Sequence, residues 1–181
     1  MHYRTAELTD IPKIVKLYKT VAKTPGLLAR NEDEMTEEYV SNFVKKSLDH
    51  GLIIVGSEEN NPDELIAEIH GYRPGLANFN HVLGDVTFLV HPDHQGKKIG
   101  RTLLMIFLDE IVNNYTNIGK VELVTGESNL KAISLYQSVG FMIEGRMEMR
   151  FRKPDGMFEA DIPMGWVNPG FEFDGEIPRL Q

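Results

Sequence analysis

The 181 residues carry 19 Lys and Arg against 27 Asp and Glu, a formal net charge of −8, and 41% of them are hydrophobic. That composition is globular, which excludes a wholly disordered chain, and the length sets one domain rather than two. Cysteine is absent, so disulfides, thiolate metal sites and an acyl-cysteine intermediate are excluded, and the acidic balance argues against a chain-wide grip on nucleic acid.

The first seven residues lack the apolar core of a signal peptide. The longest uninterrupted apolar run, Leu103 to Leu108, is too short to cross a bilayer. A cytoplasmic protein without membrane contact is expected.

Residues 2–7 read as a short strand. Asp10 is placed to cap a helix with Pro12 in its first turn and an apolar stripe of Ile14, Val15, Leu17, Tyr18, Val21 and Ala22. Residues 23–35 read as a loop broken by Pro25-Gly26 and carrying the acidic run Glu32-Asp33-Glu34. Thr36 can cap a second helix, with Val40, Phe43, Val44 and Leu48 on one face and Gly51 at its end. Strands are predicted at Leu52–Val55 and Leu65–Tyr72 around the turn Asn60-Asn61-Pro62-Asp63, and at Val86–Val90, whose apolar run marks burial on both faces.

A long helix is predicted over Ile99–Tyr115, a strand over Lys120–Val124, and a helix over Asn129–Val139 closed by Gly140 as a left-handed cap with Phe141 folding back. A hairpin about Pro154-Asp155-Gly156 follows, its return strand Phe158–Trp166 bulged or partly unpaired at Pro163. The methionines of this hairpin (Met142, Met147, Met149, Met157, Met164) are read as core, and Arg146, Arg150 and Arg152 as balanced by Glu148, Glu159 and Asp161. The segment 167–181 reads as a loosely held tail after a domain of residues 1–166. The order β-α-α-β-β-β-α-β-α-β-β is a mixed α/β arrangement.

One stretch carries chemistry. Val86–Val90 runs through His91-Pro-Asp-His-Gln95-Gly-Lys-Lys-Ile-Gly100-Arg101 into the long helix. Helix starts expose free N–H groups and the positive end of the dipole, so Lys97, Lys98 and Arg101 are unfavourable there unless they and the backbone converge on an anion. Gly96 and Gly100 would let a phosphate approach closely, and a pyrophosphate matches so many donors best. Neither G-x-x-x-x-G-K-[ST] nor G-x-G-x-x-G is present.

Gln95-Gly96-Lys97-Lys98-Ile99-Gly100 resembles the [Q/R]-x-x-G-x-[G/A] signature of the GNAT superfamily of acyl-CoA N-acyltransferases, with Lys98 in place of the first signature glycine. The flanking strand and helix, the pattern Asn129…Ala132-Ile133…Leu135-Tyr136…Gly140-Phe141 and the hairpin start Glu144-Gly145-Arg146 are similar to the same family, over residues 2–166. The resemblance implies a GNAT fold, a central mixed, mostly antiparallel sheet of about seven strands flanked by four helices. It implies acetyl transfer from acetyl-CoA, as co-substrate, directly to the primary amine of a small molecule or a peptide N-terminus. The alternative is a non-catalytic acyl-CoA-binding or regulatory module. No metal is expected, and the assembly considered is a homodimer.

By the same resemblance, the backbone of Leu89 and Val90 would pair with the pantetheine amides. The N–H groups of Gln95, Gly96, Lys97, Lys98, Ile99, Gly100 and Arg101 would hold the pyrophosphate, and Asn129 would reach the pantetheine arm. Tyr136 would protonate the leaving thiolate, and the N–H of Val90 would polarise the thioester carbonyl. Lys98 must avoid a strained φ if the turn is to survive without its glycine. Glu68, Asp85 and Glu127 are the carboxylates available as base, with Glu68 and His70 sharing a strand face. His91 and His94 stand three apart across a proline, a poor metal pair. The acidic run at 32–34 suggests a cationic amine acceptor: an amino acid, polyamine, aminoglycoside or peptide N-terminus.

Overall fold

A computed structural model describes residues 1–24, 27–153 and 155–172. Pro25-Gly26, Pro154 and the end of the expected tail lie outside the described residues. The elements run β1 (His2–Thr5), α1 (Ile11–Ala22), α2 (Glu37–His50), β2 (Gly51–Glu58), β3 (Asn61–Tyr72), β4 (Val82–Val90), α3 (Ile99–Asn114), β5 (Lys120–Gly126), α4 (Leu130–Gln137), β6 (Met142–Ile143), β7 (Met147–Arg152) and β8 (Phe158–Val167). The eighth strand relative to expectation is the two-residue β6.

Local chemistry explains most boundaries. Thr36 caps α2 as expected, its hydroxyl accepting the Tyr39 N–H at 3.1 Å. Asp10 does not cap α1. Its buried carboxylate instead accepts from both Arg4 guanidinium nitrogens (2.6 and 2.8 Å) and from the Glu7 N–H (2.9 Å), fastening β1 to the helix start. Gly51 ends α2 for a different reason than a left-handed cap. Its φ is −164°, and a Cβ there would lie 2.0 Å from the Gly71 carbonyl oxygen, so the β2–β3 contact admits only glycine. The β2–β3 turn falls one step earlier than expected, and Pro62-Asp63 already belongs to β3.

The strands form one sheet in the order β1-β2-β3-β4-β5-β8-β6, with β7 also on β8. Every pairing is antiparallel except β4–β5. One sheet face is covered by α3 through Leu103, Leu104, Phe107 and Ile111, with Tyr136 and Phe141 at its edge. The other is covered by α1 and α2 through Ile14, Tyr18, Phe43 and Val44. The two faces explain the apolar run of β4, whose Val86 and Val90 join the first core and Leu89 the second.

The C-terminal hairpin departs from expectation. Met142, Met149 and Met157 are exposed, and Met164 is the hairpin methionine buried in the core. Period-two alternation gives two faces but not which is covered, and here Met142, Met149 and Met157 lie on uncovered surface among the described residues. Pro163 pairs with Val124 on one side, and on the other its carbonyl accepts the Glu144 N–H at 2.9 Å just past β6, so it is engaged on both sides rather than unpaired. The bulge itself is on β7, between Met147 and Phe151, where Met149 takes φ +51°. Arg150 approaches Asp161, while Arg146 forks onto Glu127 at 2.7 and 2.8 Å and also meets Glu148; Glu159 instead takes Lys153. The start of the expected tail is anchored. Buried Asn168 donates to the Ile118 carbonyl at 2.7 Å, and Phe171 packs so closely on Gly119 that a Cβ there would lie 2.9 Å from its ring.

Candidate active site

Strands β4 and β5 run parallel for two residue pairs, Val82–Lys120 and Leu83–Val121, and then part. From Thr87 to Val90, among the described residues, β4 is paired only with β3, so its second edge lines a gap. The alternation of antiparallel bonding tells which groups face it. The His91 N–H donates to the Ile66 carbonyl at 2.7 Å, so the directly opposite pairs His91–Ile66, Leu89–Glu68 and Thr87–His70 exchange hydrogen bonds. The backbone groups of Val90 and Phe88 are then turned to the gap, and those of Leu89 to β3. The backbone groups of Val90 are therefore open for the expected pairing, while those of Leu89 are engaged with β3. Beside Val90, the backbone groups of Phe88 are the ones open to the gap.

At the end of β4 the chain turns into α3. The Gln95 side-chain amide donates to the Val90 carbonyl at 3.3 Å and ties the turn to the strand. Gly96 takes φ +76°. Lys98 stands at the helix start with φ +64° and ψ 6° and no side-chain cap. The expectation that Lys98 avoids a strained φ is thus overturned. It adopts the left-handed geometry of the missing glycine, because the turn between Gln95 and Ile99 requires it. The N–H groups of Ile99, Gly100 and Arg101 have no partner within the helix, as in any first turn. They open beside Lys97 and Lys98, where an anion is favoured.

Gly100 shows why this turn lies against the gap. A Cβ there would lie 3.2 Å from Phe88 Cε2 and 3.6 Å from Val90 Cγ2. Arg101 turns aside from the helix start and donates to Ser138 Oγ at the end of α4, which in turn donates to the Leu135 carbonyl at 2.7 Å. It serves as a strut between α3 and α4.

Across the gap, Asn129 begins α4. Its side-chain oxygen accepts the Ala132 N–H at 3.2 Å, which leaves the amide NH₂ for another partner. Tyr136 lies one helix face further on, 7% exposed, its ring edge-on to Phe88 at 5.7 Å and tilted against Phe141 at 5.6 Å. Burial pushes its phenol well above the ordinary value. It stays protonated at neutral pH and holds a proton in an apolar wall beside the strand edge.

The candidate bases are separated by the fold. Glu127 is held by Arg146 on the surface, which keeps its carboxyl below the usual range. Asp85 is exposed in a β4 irregularity at φ +50°, and its carboxylate, after burial, helps push the Tyr72 phenol up to about 12. Glu68 is fully buried on the α1/α2 face, where Tyr18 Oη donates to Oε2 at 2.7 Å and His70 Nδ1 lies 3.0 Å from Oε1. Burial first, and then the Glu68 carboxylate, raise the Tyr18 phenol well above its ordinary value.

The acidic run reads differently in three dimensions. Glu34 turns back to accept the Asn31 N–H at 2.8 Å, and Glu32 lies 3.5 Å from Lys23. Beyond it the groups in view are cations on rings, Arg30 over Tyr39 at 4.2 Å and Lys46 over Tyr72 at 5.1 Å. Among the described residues no cluster of three metal-ligating side chains occurs, and no helix is long and apolar enough to cross a membrane. His94 approaches Glu58 at 3.6 Å rather than forming a ligand set with His91.

A model of the Acetyltransferase (GNAT) family matches residues 15–141, from α1 through α4. The chain belongs to the GNAT acetyltransferase family. The L-amino acid N-acyltransferase MnaT of Escherichia coli (strain K12) is 28% identical over 149 residues, 81% of this chain and 83% of that protein. An L-methionine sulfoximine/L-methionine sulfone acetyltransferase of Salmonella typhimurium is 27% identical over the same shares. The structure of yncA from Salmonella typhimurium with its cofactor acetyl-CoA superposes with a TM-score of 0.81 at 21% identity, covering 98% of both chains. This GNAT protein is accordingly an acyl-CoA-dependent N-acetyltransferase, and acetyl-CoA is its co-substrate. The gap, the uncapped α3 start and the close approach at Gly100 all suit a pantetheine arm followed by a pyrophosphate.

Proposed function

We propose that this GNAT enzyme transfers acetyl directly from acetyl-CoA to the primary amine of a small molecule that also carries a carboxylate, such as an amino acid. The carrying observation is the charge around one continuous run of rings. Tyr39 meets Phe43 at 5.4 Å, Phe43 stacks on His70 at 4.1 Å, and His70 is parallel to Tyr72 at 6.3 Å. Arg30 and Lys46 lie over its two ends, and Asp85 stands beside Tyr72. With Glu68 buried against His70, the exposed charges around the rings are Arg30, Lys46 and Asp85, and the two cations suit a substrate carboxylate that a polyamine lacks, the reverse of what the acidic run alone suggests. Two relatives that align over 81% of this chain are named for amino acids or amino-acid analogues, which supports the same class, while a spermidine N(1)-acetyltransferase of Vibrio cholerae, 34% identical over 74 residues, makes polyamines the comparison the test must include.

In this reading Val90 and Phe88 hold the thioester along the β4 edge, and the turn from Gln95 to Arg101 holds the pyrophosphate. Asn129 steadies the arm through its free NH₂. Tyr136 supplies a hydrogen bond, and then its proton, to the departing sulfur. A phenol raised by burial donates uphill to a thiolate of ordinary pKa near 8.5, so its proton moves only as the amine supplies a replacement. Holding both reactants in one cleft contributes the rest through proximity.

The test is thiol release from acetyl-CoA with a panel of amines. Amino acids are expected to exceed their carboxamides and polyamines by ten-fold or more in kcat/KM, and Arg30→Ala to raise KM for the acid alone. Equal turnover of acid and carboxamide would refute the carboxylate assignment.

A further inference from the structure

The buried Tyr18–Glu68–His70 cluster has no structural need of three polar groups, since the surrounding core is apolar. Its hydrogen-bond pattern fixes a direction. A carboxylate only accepts, so both neighbours must donate to Glu68. Tyr18 gives its O–H to Oε2, and His70 gives its Nδ1–H to Oε1. Tyr18 Oη lies 3.3 Å from the same Nδ1 and fills the remaining side. The neutral imidazole then carries its lone pair on Nε2. Among the described residues Nε2 has no hydrogen-bond partner, and it does not belong with the sealed, unpartnered atoms, which are Ser47 Oγ, Arg73 Nε and His94 Nδ1.

The ring's place is equally restricted. Phe43 of α2 stacks on it and Tyr72 of β3 lies parallel to it, which fixes its plane. His70 is directly opposite Thr87 of β4, the residue before Phe88, whose backbone faces the gap. The imidazole therefore stands one strand, roughly 5 Å, from the β4 segment that lines that gap.

Resting on the transferase reading above, we infer that His70 is the proton acceptor for the incoming ammonium, with Glu68 and Tyr18 as its positioning residues. The ammonium gives one proton to His70 Nε2, and the freed amine forms the N–C bond as the C–S bond breaks. Tyr136 gives its proton to the sulfur and regains one from the new amide nitrogen. The second proton leaves His70 for solvent, so the sum is amide, thiol and one proton. Glu68 keeps the tautomer and steadies the imidazolium, in the manner of a carboxylate behind a catalytic histidine. The groups that face His70 are Tyr18 from α1, Phe43 with Tyr39 behind it from α2, Glu68 and Tyr72 from β3, and Thr87 with Asp85 nearby from β4. Arg30 and Lys46 lie over the outer rings.

The test is the pH profile of kcat/KM by thiol release, run beside the melting shift given by acetyl-CoA. Wild type should lose rate toward acid pH as Nε2 takes a proton. His70→Gln should lose 100-fold or more in kcat/KM, with the acid limb gone and the acetyl-CoA shift kept. Glu68→Gln, which keeps the shape, should move the acid limb to lower pH because the imidazolium loses its anion. A folded His70→Gln protein with near wild-type rate, or a Glu68→Gln limb that does not move, overturns the assignment. A wild type that binds acetyl-CoA yet releases no thiol with any amine refutes the transferase reading itself, and His70's part with it.

Discussion

Replacing Lys98 by glycine should stabilise the protein, although it removes a lysine and adds the most flexible residue. At φ +64° a residue with a Cβ sits in the left-handed region, at a cost of roughly 1–2 kcal/mol. Glycine removes that cost and returns roughly 0.4–1 kcal/mol through the freedom of the unfolded chain. The balance is a gain of about 0.5–1 kcal/mol, which for a chain of this length raises Tm by roughly 1–4 °C. Lys98→Ala keeps the Cβ and loses the same charge, so it should gain only the few tenths of a kcal/mol that a cation forfeits at a helix start. Calorimetric melting of the three proteins without ligand separates strain from charge. A Lys98→Gly protein that melts below wild type, or a Lys98→Ala protein that gains as much, would refute the strain argument. With acetyl-CoA present, both variants should show a smaller ligand-induced shift than wild type, and the difference should fade with added salt.

Gly100→Ala places a methyl 3.2 Å from the Phe88 ring, and since alanine also gains about 1 kcal/mol in a helix, the melting change should stay within about 1 kcal/mol in either direction. Acetyl-CoA affinity should fall as Phe88 is pushed toward the gap; unchanged affinity would dissociate the turn from the cleft. Tyr136→Phe removes a hydroxyl without disturbing the ring contacts, so Tm should change by less than about 2 °C while turnover falls roughly 100-fold. Full turnover would end its role as acid. Asp10 is held below the usual carboxylate range by the Arg4 hydrogen bonds, with burial opposing. A depressed folded value means its contribution is whole above about pH 4 and is lost as pH falls through the folded value. Asp10→Asn should therefore flatten the acid end of the stability–pH curve and cost roughly 1–3 kcal/mol at neutral pH, since Arg4 loses its charged partner but keeps the Thr5 carbonyl and contact with water. An acid limb identical to wild type would show that other carboxylates govern it.

What the sequence made legible was local. The Thr36 cap, the left-handed Gly140 with Phe141 bonding back to the Tyr136 carbonyl, and the strand-turn-helix around Gln95–Gly100 all rest on contacts within a few residues. So did the shared face of Glu68 and His70. What it did not disclose was tertiary. Glu68 became part of a buried cluster only because Tyr18, fifty residues away, arrives on α1. The exposed hairpin methionines alternate as a core strand would, and only their tertiary exposure separates the two cases. Within the acidic run Glu34 turns back on Asn31 and Glu32 meets Lys23, while Arg30 and Lys46 lie over the rings beside it. One hydrogen bond, from His91 to Ile66, sets the phase of the whole strand and so opens the backbone groups of Phe88, rather than those of Leu89, to the gap.

The most direct test is the thermal unfolding of the wild-type protein with and without acetyl-CoA. A ligand at about 100 times its dissociation constant adds roughly 2.7 kcal/mol to the native state, which predicts a rise of roughly 5–10 °C. A rise of that size places acetyl-CoA on the folded enzyme as the β4–β5 gap and the α3 start require. No change in Tm at millimolar acetyl-CoA would contradict the account.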